Sequence, residues 1–140
     1  MIRKRSARAL AGGLAVILLL LAATAAYAAG GVRKFSGTTG QHQPISFRVA
    51  HGYLTHLQFN LTLTCPSGHR VTYHNTFIKF RVKHSKFDVR FSNTSFNGHA
   101  EVSGRIGKKK ATGKIRISRS VPGQSKICSG STTYTATLQK

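Results

Sequence analysis

Asp88 and Glu101 are the only carboxylates in a chain of 140 residues that carries 22 lysines and arginines, so general acid–base chemistry has little to work with. Glycoside hydrolysis ordinarily needs two carboxyl groups flanking one bond. The alternation of the surrounding residues sets both on polar strand faces opposite an arginine, Asp88 facing Arg81 and Glu101 facing Arg116. No G-x-S-x-G elbow occurs, and a serine–histidine pair would lack a spare carboxylate to orient its imidazole. The composition points away from an enzyme, and no catalytic residue is assigned.

Metal chemistry fares little better. His42, His51, His56, His69, His74, His84 and His99 form no H-x-H or H-E-x-x-H pattern, and most fall in turns or on polar faces. Cys65, His69 and Cys128 offer one C-x-x-x-H spacing without the second paired motif of a zinc site. His56, Asn60 and His74 would share an outer face if a hairpin closes at Pro66-Ser67-Gly68. No metal and no other cofactor is expected. In an oxidising compartment, Cys65 and Cys128 read instead as one disulfide, whose long loop would stabilise the fold by about 4 kcal/mol.

The signal that stands out is positive charge, formally +20 with the histidines neutral. Lys79, Arg81, Lys83, Lys86 and Arg90 share the outer side of one expected hairpin. Arg105, Lys114 and Arg116 lie outside a second, whose loop contributes Lys108, Lys109 and Lys110. These are the candidate anion-binding residues. Facing cations, such as Lys79 opposite Arg90 in this register, repel one another unless a ligand or counter-ions intervene. A chain of this charge attracts polyanions, and mild acidification adds charge through the histidines.

The elements that must carry these residues are strands. Beyond Gly31, short apolar–polar alternations are separated by Gly, Pro, Asn and Ser clusters, with no sustained helical period. Leu57, Phe59, Leu61 and Leu63 alternate before the Pro66-Ser67-Gly68 turn, which sets Leu63 against Val71 and Leu61 against Tyr73. A four-residue loop at 83–86 pairs Val82 with Phe87, Phe80 with Val89 and Ile78 with Phe91. A similar loop at 107–110 pairs Ile106 with Ala111, Gly104 with Gly113, Val102 with Ile115 and Ala100 with Ile117. The facing glycines mark a bend or a close approach of another layer. About nine short strands predict an all-β antiparallel β-sandwich, with a closed β-barrel as the alternative.

Ahead of this domain, Arg3, Lys4, Arg5 and Arg8 precede an apolar run centred on Leu14 to Leu21, and Ala26-Tyr27-Ala28 supplies small residues at a cleavage site. That order is the order of a secretory signal peptide. Residues 1–28 are expected to be removed after Ala28, and 29–140 to form a single β-sandwich domain. A retained anchor is the alternative.

Phe35-Ser36-Gly37-Thr38-Thr39, Leu63-Thr64-Cys65, Val102-Ser103-Gly104-Arg105-Ile106-Gly107, Ala111-Thr112-Gly113 and Cys128-Ser129-Gly130 carry a further likeness. The chain resembles small secreted β-sandwich domains of actinobacterial exported proteins over most of residues 33–138. That resemblance implies a sandwich with a Cys65–Cys128 bridge and brings no catalytic residues. The expectation is a secreted or envelope-associated, non-enzymatic basic domain that binds an anionic polymer: a cell-wall glycan, a phospholipid surface or extracellular nucleic acid. A protein-binding or inhibitory module using the loop 118–127 is the second reading, and an exported hydrolase the third.

Overall fold

Alternating burial along the chain produces eight antiparallel strands in the computed structural model, which describes residues 31–94 and 97–140. The expected signal segment, 1–28, lies outside the described residues. The strands are β1 (Arg33–Thr39), β2 (Pro44–Ala50), β3 (Tyr53–Thr64), β4 (Arg70–Arg81), β5 (Lys86–Asn93), β6 (Gly98–Ile106), β7 (Lys110–Arg119) and β8 (Cys128–Leu138). They form one sheet in the order β4-β3-β2-β1-β8-β7-β6-β5, with an extra pairing of β3 to β8 that closes β1, β2, β3 and β8 into a small barrel. The all-β antiparallel expectation holds, with the barrel alternative describing the closure. Eight strands stand among the described residues in place of about nine short ones, because β3 and β4 run 12 residues each.

Inside the barrel, Phe35 and Phe47 stack at 5.2 Å and Tyr134 meets Phe47 edge-on at 6.4 Å. Leu57, Phe59, Leu61, Leu63 and Ala136 are buried beside them. The closing contact is a single rung, Thr64 to Ser129. Cys65 and Cys128, the residues just beyond that rung, form the disulfide. Gln41 reinforces the same region by acting as a short piece of strand: its Oε1 accepts the Thr62 amide at 2.7 Å, and its Nε2 donates to the Thr62 carbonyl at 3.2 Å.

The β3–β4 and β6–β7 registers are those expected, Leu63 with Val71 and Leu61 with Tyr73 in one, and all four pairs from Ile106–Ala111 to Ala100–Ile117 in the other. The β4–β5 ladder is corrected. His84 and Ser85 have φ of 49° and 62°, the two positive values of a tight type I′ turn, and only Lys83 and Lys86 bridge across it. Val82 then bonds to Gly52 and Ile106 to Ser85, so each strand stays committed to its other neighbour. The gap between them is filled by phenyl rings, with Phe77 on Phe91 at 4.9 Å and Phe80 near Phe91 at 5.6 Å.

Gly104, Gly113 and Tyr134 form one inward row across β6, β7 and β8. The tyrosine ring lies where glycine side chains would be: a Cβ on Gly113 would stand 2.5 Å from its Oη, and one on Gly104 would meet the same oxygen and stand 2.8 Å from Phe87 Cζ. This is the close approach that the paired glycines signal. Tyr134 is buried, its hydroxyl donates a long 3.4 Å bond to the Ser103 carbonyl, and burial raises its pKa above the ordinary 10.0. A raised folded-state pKa means stability is intact below pH 10 and declines above it, as the unfolded chain releases a proton that the folded one keeps. Urea titrations of Tyr134→Phe should therefore show an alkaline decline shallower than wild type by up to about 1.4 kcal/mol per pH unit.

Candidate anion-binding pole

Antiparallel succession decides where the cations go. β1 begins, β8 ends, and the β2–β3, β4–β5 and β6–β7 connections all turn at the same end of the sheet. Both lysine-bearing turns belong to that set. Backbone bonds tie the connections together: Val82 to Gly52, Ile106 to Ser85, Leu138 to Lys109 and Gln139 to Lys34. The Arg33 guanidinium donates to the carbonyls of Gly107 and Lys108, fastening the strand start to the lysine turn.

One pole of the molecule thus gathers Arg33, Lys34, Arg48, Arg81, Lys83, Lys86, Arg105, Lys108, Lys109, Lys110 and Lys140. Neither carboxylate lies in its turns. Three pairs of cations stand directly opposite one another, Lys34 with Arg48, Lys86 with Arg105, and Lys83 with Lys86 across the turn. Each such pair costs a few tenths to about 1 kcal/mol, which an anion laid across it relieves. The pairing expected between Lys79 and Arg90 is not formed, since β4 and β5 part company. Lys79 instead lies 4.1 Å over the Tyr53 ring.

Of the expected binding residues, Arg81, Lys83, Lys86, Arg105, Lys108, Lys109 and Lys110 sit at this pole, with Lys79 two residues back along β4 from Arg81. Arg90, Lys114 and Arg116 do not join them. They lie further along the outer face of β5, β6 and β7. There the acid pairing is also corrected: Asp88 meets Arg90 at 3.8 Å rather than Arg81, and Glu101, though opposite Arg116 in register, contacts Arg90 at 3.6 Å. Both acids are answered by one arginine on an open face, where such pairs contribute little. Sequence reasoning missed Arg33, Lys34, Arg48 and Lys140. The parity of the strand count would have found Arg33, Lys34 and Lys140, because an even number of antiparallel strands returns the start of the first and the end of the last to one end.

The histidines divide by backbone conformation. His42, His51, His56 and His84 have φ between 49° and 59°, a left-handed region that histidine tolerates better than most residues. His56 occupies the irregularity where the β2–β3 register shifts, which separates it from the other two members of its expected trio. His74 and Asn60 do meet, the Nδ1–H donating to Oδ1 at 2.6 Å. Among the described residues no group of three His, Cys, Asp or Glu side chains is placed to hold a metal ion.

Compared with known proteins, the chain matches no family profile and no curated relative.

Proposed function

We propose that residues 29–140 form an exported, non-enzymatic domain that docks through its cationic pole on anionic polymers or anionic surfaces of the cell envelope. The observation that carries this reading is the gathering of Arg33, Lys34, Lys83, Lys86, Arg105 and the Lys108–Lys110 turn at one end of the sheet, where Asp88, two residues along β5 from Lys86 and paired with Arg90, is the one carboxylate nearby among the described residues. The intramolecular disulfide fits an extracellular location. The n-region, apolar run and Ala26-Tyr27-Ala28 of the sequence supply the route, as a signal peptide cleaved after Ala28. The likeness to small actinobacterial exported β-sandwich domains agrees with that destination.

Binding of this kind is driven by release of counter-ions, so affinity falls linearly in log–log form with salt. On an immobilised sulfated polysaccharide, Lys108→Ala/Lys109→Ala/Lys110→Ala should flatten the salt slope by about 3, roughly one for each lysine removed. Arg70→Ala/Lys126→Ala, at the opposite end, should leave it unchanged. Equal slopes for the two variants would defeat the proposal.

A further inference from the structure

Where β4 and β5 separate, they leave a groove of about 540 Å³ between β4 and the last residues of β5, β6 and β7. That volume lies within the range of small-molecule sites, roughly 300–1,000 Å³. Its floor is apolar, built by Phe77, Phe91, Ala100 and Ile117. Phe91 is 38% exposed, one of few large apolar side chains so placed among the described residues. Its ring lies flat against Phe77, with an interplanar angle of 11°. The rim carries Lys79 and Arg119, and neither Asp88 nor Glu101 lines the groove. Arg119 lies over the Tyr73 ring at 5.0 Å, and its Nε donates to the Ser120 carbonyl at 3.2 Å.

An apolar trough with only positive formal charge at its edge is complementary to one kind of small molecule. We infer that the groove binds a single-chain amphiphile with an anionic head, of the fatty-acid or alkyl-sulfate class. The chain lies on Phe77, Phe91, Ala100 and Ile117, and the head sits at the Lys79 end of the rim, with Arg119 beside Tyr73 at the other end of the β4 wall. This site is separate from the cationic pole and does not depend on it. Hydrocarbon burial supplies the attraction at about 0.8 kcal/mol for each methylene removed from water, and the rim charges select the sign of the head. A cationic amphiphile of equal chain length gains the same burial but meets like charge.

The test is calorimetric titration of the full chain with dodecanoate below its micelle concentration, beside dodecyltrimethylammonium and dodecanol. The expected result is one saturable dodecanoate site, with the cationic amphiphile weaker by roughly tenfold or more. Ala100→Phe, which fills the trough, should abolish binding. Lys79→Glu, an exposed substitution that leaves the floor intact, should weaken dodecanoate by roughly tenfold. The Lys108→Ala/Lys109→Ala/Lys110→Ala variant should bind it as wild type does, which keeps this site distinct from polyanion docking. The inference is overturned if wild type shows no saturable site, if the cationic and anionic amphiphiles bind alike, or if Lys79→Glu leaves dodecanoate affinity unchanged.

Discussion

Replacing both cysteines, Cys65→Ala and Cys128→Ala, should lower the unfolding free energy by about 4 kcal/mol, because the bridge restricts the unfolded chain over a long loop. The two residues are 63 apart in sequence, and the loop they close contains all of β4, β5, β6 and β7. For a domain of this size the loss corresponds to roughly 15–25 °C in Tm, at about 4–6 °C per kcal/mol. The effect is also local. The bridge follows directly on the Thr64–Ser129 rung, the only rung between β3 and β8, so its removal takes the staple from the seam that turns a sheet into a barrel. Thermal denaturation with and without a thiol reductant checks both parts. Reduction should reproduce the double substitution in wild type and do nothing further to the variant.

Gly37→Ala should be among the most damaging single added methyls in the described residues. Gly37 lies on the inward row of β1 between Phe35 and Thr39, opposite Ala136 of β8. A Cβ there would stand 2.7 Å from the Ala136 Cα and 2.9 Å from the Thr135 carbonyl carbon, and would press on the Thr135 oxygen as well. All three neighbours are backbone, so no side-chain rotation relieves the contact. Four strands close with very little interior room, and at this point the walls themselves touch. The expected loss is at or above the top of the roughly 1–3 kcal/mol range for overpacking, read as a fall in the urea midpoint. Gly31→Ala, with nothing within 4 Å of its added carbon, should leave the midpoint where it is.

How far the sequence discloses this architecture depends on how local the determining physics is. The β6–β7 register is legible because the short turn at 107–110 and strict alternation from Ala100 to Ile117 admit one pairing that buries Val102, Ile106, Ala111 and Ile115 together. The same logic applied to residues 78–91 is locally just as consistent, and it finds the turn but misses the fate of the strands. Whether β4 and β5 zip beyond Lys83–Lys86 is decided by β3 and β6, which hold their far edges, and by the rings of Phe77 and Phe91 standing between them. Those influences are non-local and leave no mark on alternation. A second failure of period is Leu54 and Leu57, three apart yet both buried, with His56 at φ 52° between them. A bulge of this sort flips the parity of everything beyond it. The cationic pole is half legible: the two lysine turns are visible as charge clusters, but their meeting with Arg33 and Lys140 requires knowing that the number of strands is even.

The parting of β4 and β5 leaves the sheet with two borders whose backbone amides and carbonyls have no further strand to pair with among the described residues. Such borders invite self-templated growth, in which identical chains add strand upon strand into fibres. Here one border carries Lys79, Arg81 and the neighbouring Lys83, and the other Lys86 beside the Asp88–Arg90 ion pair, all exposed. A second molecule approaching in the same way would have to set these ammonium and guanidinium groups against one another, so the charge acts as a guard against fibrillar self-recognition.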